Sequence, residues 1–230
     1  METIYIMVDS ASRPHLLERT LTSLKDNLRY LGELYWIHYE TFLDEDKSKE
    51  CIKIAQAFGA NKILENHDPK GECVSITRVL DGLWNVAKYF IHWEDDYIAL
   101  REIDLDLCYR LLEENDQIKQ IAWNRRQTMS SMPGFTKKEF MFSDQKMTTC
   151  PHWRFCPAIW KLDFIKDKWQ AFEGSNGHWR FNEILQVGFQ PNKTSDLVAE
   201  KLGTFYLGPI NELAYCEHIG KGQSGRIPGA

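Results

Sequence analysis

The segment "YFIHWEDDYIAL" (residues 89–100) runs from apolar residues into three consecutive carboxylates, Glu94, Asp95 and Asp96, and then turns apolar again. Charge at the end of a buried strand is costly to desolvate unless a cation or partner compensates it. Side chains alternate along an extended chain, so Glu94 and Asp96 are expected to point one way and Asp95 the other. One face would hold a metal ion while the other meets a ribose or backbone donors. Carboxylate oxygens suit Mg2+ or Mn2+, which take one or two protein carboxylates and complete their shell with substrate phosphates. The competing reading of the same residues is a solvated acidic turn that caps the next helix.

Such a cluster needs elements that carry it to a sheet edge. "IYIMV" (4–8) reads as a first strand, and Leu17, Leu21, Leu24 and Leu28 follow at helical spacing with Pro14 in the first turn. "LYWIHYETF" (34–42) is a second strand, and Cys51, Ile54, Ala55 and Phe58 mark a second helix closed by Gly59. After the short "KILEN" (62–66), Ile76, Val79, Leu80, Leu83, Trp84 and Ala87 form the stripe of a third helix. That helix feeds the strand carrying Glu94. This β-α-β-α-β series favours a largely parallel sheet covered by helices, whose ligands bind at the carboxyl ends of the strands. Further on, 105–115 reads as a helix, 118–123 as a strand and 124–151 as a long polar loop. Residues 157–172 then read as a strand and a helix, 178–188 as a helix, "TFYLG" and "AYCEH" as late strands, and the tail as a glycine-rich loop.

Composition bounds the function. With 43 % hydrophobic and 27 % charged residues the chain is a folded globular protein, and a net charge of −5 argues against bulk electrostatic binding of nucleic acid. No apolar run is long enough to suggest a membrane span. The start reads as a strand rather than a signal peptide, and the six cysteines are scattered, so a cytoplasmic protein with reduced thiols is expected. Cys150, His152 and Cys156 match no common structural zinc spacing. Neither an internal repeat nor a linker is evident, and residues 1–230 are taken as one domain.

The order and spacing of these features, with "EDD" near residue 95 and a C-terminal His in "EHIGKGQSG", resemble the GT-A fold of nucleotide-sugar glycosyltransferases, in particular small inverting enzymes of the family 2 type. The resemblance implies a Rossmann-like α/β domain with a mostly parallel central sheet flanked by helices. Its residues 1–100 would bind the nucleotide-sugar, and 101–230 the acceptor and a C-terminal loop. "EDD" stands as a variant of the family's DxD motif. Asp96 would then ligate Mn2+ or Mg2+, Asp95 or Glu94 would contact the ribose or the metal's water shell, and His218 would be a second metal or diphosphate contact. Asp9, Ser10 and Arg13 after the first strand would hold the nucleotide, Asp44 would take the base- or ribose-binding position, and UDP or GDP is the ordinary donor nucleotide. An inverting transfer needs a general base. The family's helix-start carboxylate maps onto Glu183, with Glu173 and Asp144 as weaker candidates.

Arg78 is a further candidate for the nucleotide, and Trp153 and Trp179, flanked by His, Arg and Gly, for a binding surface. The acceptor would be a glycan or another hydroxyl compound, a modified DNA base included. Two other readings compete with this one. A sugar-nucleotidyltransferase would normally carry glycine in the first-strand loop, and "VDSASRP" has none. A non-catalytic carbohydrate- or nucleic-acid-binding domain would keep the acidic cluster as structure.

Overall fold

The apolar run at the start forms β1 (Ile4–Ser10), and the chain continues through α1 (Pro14–Asn27), β2 (Leu28–Arg29), β3 (Leu34–Thr41), α2 (Glu45–Ala57), β4 (Lys62–Asn66), α3 (Glu72–Asp81) and β5 (Tyr89–Glu94). The second half contributes β6 (Tyr97–Ala99), β7 (Ile103–Asp104), α4 (Leu105–Glu114), β8 (Gln120–Ala122), β9 (Glu139–Phe142), β10 (Gln145–Thr149), β11 (Ala158–Lys161), α5 (Leu162–Lys166), β12 (Thr204–Leu207) and β13 (Cys216–His218). This computed structural model describes residues 2–67, 72–123, 137–150, 153–154, 156–166 and 202–220.

Among the described residues, one nine-stranded sheet runs in the order β4-β3-β1-β5-β11-β8-β12-β10-β9. The β4-β3-β1-β5 half is parallel throughout, as the alternating strands and helices require. β11 and β10 run against the other strands of the sheet. The sheet is therefore mostly parallel in direction but mixed at its far side, in an α/β architecture with helices on both faces.

Alternation along β1 splits the core. Ile4, Ile6 and Val8 pack with Leu17, Leu21 and Leu24 of α1 and Cys51 of α2. Met7 lies on the opposite face with Ile37 and Tyr39 of β3 and with Ile76, Val79 and Leu80 of α3. Every polar residue at the carboxyl ends of β1, β3 and β5 inherits one of these two faces.

Away from the strand ends, the structure departs from the sequence expectation at the stretch after β8, at the third helix and at Trp153. The stretch read as a polar loop contains the β9–β10 hairpin, turning at Ser143 and Asp144, with Ser143 at φ 54°. Its apolar content is modest, but Phe140 and Phe142 both meet Phe205 of β12, at 5.9 and 5.1 Å between ring centroids. The third helix ends at Asp81, and Leu83 and Ala87 reach the core from the turns that follow Gly82. Trp153, expected at a surface, is 1 % exposed and packs on Trp160 and Phe164. The expected helix over 178–188, Trp179 and the glycine-rich tail after Gly220 lie outside the described residues.

Gly203 fixes the approach of β12 to β8. It has φ +58°, its carbonyl accepts from the Lys119 and Gln120 amides, and a Cβ there would lie 2.5 Å from the Gln117 carbonyl. Gly203→Ala should therefore cost about 1–3 kcal/mol in denaturant unfolding, since backbone strain and a backbone clash act together.

Candidate functional site

β1, β3 and β5 end side by side, and their polar termini sort by sheet face. In register, Asp9 pairs with Tyr39 and Glu94, and Ser10 pairs with Glu40. Asp9, Tyr39 and Glu94 form the row on the α3 face. Tyr39 accepts a hydrogen bond from Arg78 at 3.1 Å, and Arg78 also donates to Asn66 at 2.8 Å. Burial raises the Tyr39 phenol, against the pull of Arg78, with Asp9 adding to the rise. Glu94 accepts from the Cys156 thiol at 2.5 Å, across the edge shared with β11.

The other row faces α1 and α2 and contains a fully buried carboxylate that sequence reasoning missed. Glu40 accepts from the Ser10 hydroxyl, from the Ser12 amide at 2.8 Å and from the Ser48 hydroxyl at 2.8 Å, and His38 lies 3.4 Å away. Ser12 takes φ 56°, and its hydroxyl accepts from the Leu43 and Asp44 amides at 3.0 and 2.9 Å. This network ties the loop after β1 to the loop after β3. Ser10, expected from the sequence to touch the nucleotide, is only 1 % exposed and is committed to Glu40 instead. Asp44 caps α2, accepting from the Lys47 amide at 3.1 Å, and that bond lowers its carboxyl. The available signal for Glu40 was a carboxylate inside the otherwise apolar "YWIHYETF".

Asp95 and Asp96 do not alternate as expected, because β5 stops at Glu94 and the chain turns. Both carboxylates meet Arg13. The guanidinium forks onto both oxygens of Asp95, through Nη2 to Oδ1 and through Nε to Oδ2 at 3.1 Å, and its Nη1 donates to Asp96 Oδ2 at 3.0 Å. The loop after β1 thus supplies the cation that the acidic cluster demands. Thr20 of α1 donates to the Asp95 and Tyr97 carbonyls, and the Asp95 amide donates to the Asp9 carbonyl at 2.9 Å, which fixes the turn.

His218 arrives from the far end of the sequence. β13 pairs antiparallel with β6, with His218 opposite Tyr97, which stands directly after the acidic cluster. Its Nε2 lies 3.2 Å from Asp96 Oδ2, and its ring tilts against Tyr97 at 4.9 Å. Gly220 follows, and a Cβ there would collide with the Asp96 carboxylate. Asp96, His218 and Arg13 are therefore brought together. Glu94 and Asp9 share the row on the opposite face, and Glu183 and Glu173 lie outside the described residues. Asp144 sits in the β9–β10 turn, paired with Arg110.

The donor set fits a divalent cation in part. Asp96 Oδ1 is buried and has no hydrogen-bond partner among the described residues, and a carboxylate with an imidazole is acceptable to Mn2+. Among the described residues no three such side chains gather as a ready shell, so water and phosphate oxygens would have to complete it. Asp95, with both oxygens on Arg13, acts as the anchor of the guanidinium.

No protein-family model matches the chain, and no curated protein matches it in sequence. Solved structures do match in fold. A structure of S. aureus TarS residues 1–349 in complex with UDP superposes with a TM-score of 0.56 at 13 % identity over 94 % of this chain and 60 % of that one. Glucosyl-3-phosphoglycerate synthase from Mycobacterium tuberculosis, in complex with Mn2+, UDP and glucosyl-3-phosphoglycerate, gives 0.56 at 11 % over 94 % and 72 %. The mannosyltransferase PcManGT from Pyrobaculum calidifontis, in complex with GDP-Man and Mn2+, gives 0.53 at 10 % over 76 % and 49 %. The chain spans about half to three-fifths of the length of two of these and nearly three-quarters of the other. The fold is the GT-A fold of nucleotide-sugar glycosyltransferases.

Burial raises Asp95 to about 7, against the pull of Arg13 and with Asp96 adding to the rise. A carboxyl raised in the folded state contributes stability that is complete below its unfolded value and lost as pH climbs through the folded one. In chelator, the melting temperature should accordingly fall between about pH 4 and about pH 7, and Asp95→Asn should flatten that fall.

Proposed function

We propose that this protein is a nucleotide-sugar glycosyltransferase that transfers a sugar, with inversion, from a UDP- or GDP-linked donor to a hydroxyl acceptor. The observation that carries the proposal is the meeting of Arg13, Asp96 and His218 at the carboxyl ends of parallel strands in a GT-A fold. The neighbours in that fold were captured with UDP or with GDP-Man, two of them with Mn2+. Residues 1–100 form the nucleotide-sugar half of a single domain, and 101–230 the acceptor half with its C-terminal loop.

Asp96 and His218 would hold Mn2+ or Mg2+, whose contribution when bound is to neutralise the diphosphate leaving group. Arg13 offers guanidinium donors to the same diphosphate, and the positive end of the α1 helix dipole lies at the same loop. Asp9, half-buried in its row beside Glu94, is the carboxylate for the ribose or base, and Arg78 steadies the neighbouring Tyr39. In the transfer, the acceptor oxygen bonds to the anomeric carbon while the bond from that carbon to the phosphate oxygen breaks. The acceptor proton passes to a carboxylate, Glu183 in this reading, and the nucleoside diphosphate departs with the bonding electrons. The acceptor is a glycan or another hydroxyl compound, a modified DNA base included. No helix among the described residues is long and apolar enough to cross a membrane. A cytoplasmic setting is part of the proposal and rests on the scattered cysteines.

Thermal unfolding against UDP-, GDP-, TDP- and CMP-sugars, with and without Mn2+, tests the reading. One nucleotide should raise the melting temperature in a metal-dependent way, because a ligand selective for the folded state stabilises it. Asp96→Ala should abolish the metal-dependent part and lower the transfer rate by at least ~100-fold. Glu183→Gln should lower the rate by ~10²–10⁴ and leave the thermal shift in place. A folded protein that no nucleotide stabilises would be a binding module.

A further inference from the structure

Arg13 stands where a mobile cation would be needed. We propose that its guanidinium is the resident counter-ion of the acidic pair and makes divalent-cation binding conditional on the nucleoside diphosphate; this rests on the function proposed above.

The two contacts of Arg13 differ in kind. Asp95, whose side chain is fully buried, takes the fork through both oxygens, and a buried carboxylate gives up such a partner only at high cost. Asp96 takes a single bond from Nη1, on an oxygen it already shares with His218. The anchored end is thus Asp95 and the exchangeable end is Asp96. Asp96 is also hemmed in from the C-terminal side. Gly220 packs against its carboxylate so closely that a Cβ would not fit, and the Asp96 carbonyl accepts from the Ile219 amide at 2.7 Å. A divalent ion arriving alone at Asp96 therefore meets a guanidinium of like charge already bonded to the same carboxylate. A nucleoside diphosphate changes this balance, because its oxygens accept from Nη1 and add negative charge beside the ion. Arg13 keeps its fork on Asp95 and passes one arm from carboxylate to phosphate. Metal and nucleotide then bind with positive coupling, and the coupling is the same read from either ligand.

The test is Mn2+ binding followed by the electron paramagnetic resonance of the free ion, alone and with UDP or GDP. Wild-type protein should bind Mn2+ alone weakly and at least ~10-fold more tightly with the matching nucleotide. Arg13→Gln combined with Asp95→Asn removes the guanidinium without stranding a buried charge. It should bind Mn2+ alone at least ~10-fold more tightly than wild type, with the nucleotide effect reduced to ~3-fold or less. Arg13→Lys, whose ammonium cannot span both carboxylates, is a second variant and should shift in the same direction by a smaller factor. If folded variants bind Mn2+ alone no more tightly than wild type while wild type still shows coupling, the counter-ion role is wrong and the functional reading stands. If neither nucleotide promotes Mn2+ binding to wild-type protein, both fall.

Discussion

The structure turns on one buried ion pair. Asp95 sits where the parallel strand β5 ends, with no exposed side-chain surface, and its ionised form has to be answered from within the chain. Arg13 answers it with a two-pronged fork from the loop after β1. Removing one partner of such a pair typically costs about 3–5 kcal/mol, because the other is left buried and uncompensated. The same pair sets the start of α1, the turn that places Asp96, and the direction in which Arg13 offers its remaining donors. Geometry that the loop would otherwise have to hold by itself is fixed here by electrostatics.

A second buried carboxylate repeats the device one strand over. Glu40 gathers the Ser10 hydroxyl, the Ser12 amide and the Ser48 hydroxyl, so the loops after β1 and β3 are tied together by polar contacts inside the α1–α2 layer. Such networks are costly when half-satisfied and rigid when complete. The two arrangements hold the strand ends together from below, beside the place where Asp96, His218 and the outer arm of Arg13 meet. His218 depends on the last strand, β13, pairing beside the acidic turn, which brings residues separated by over half the chain to 3.2 Å.

Much of the first half was legible because its strands and helices carry strong, different periods. Leu17, Leu21 and Leu24 read as a helix face, and "IYIMV" and "YFIHWE" as buried strands, and the structure has them so. The acidic cluster, Arg13 and His218 were each singled out through the family resemblance, but Arg13 was expected at a diphosphate, and its fork onto Asp95 was not foreseen. What the sequence concealed was which carboxylate does which task. Asp44 looked functional because it follows a strand, and it caps a helix; Glu40, inside the strand, is the one buried at the junction. Alternation failed at Asp96 because a turn, which no period announces, replaced the strand there. The β9–β10 hairpin escaped because its stability comes from Phe140 and Phe142 meeting Phe205, far along the chain, and its own composition is polar. Trp153 looked exposed from its polar neighbours, whereas its ring is enclosed by Trp160 and Phe164.

Anomalous diffraction from crystals grown with Mn2+ and UDP or GDP would decide whether Asp96 and His218 meet a divalent cation that accompanies a nucleoside diphosphate. The expected result is a manganese peak within about 2.5 Å of an Asp96 oxygen, bridged to the diphosphate, with Arg13 still forked on Asp95. A bound nucleotide whose diphosphate lies away from Asp96, or a manganese peak elsewhere on the protein, would contradict it.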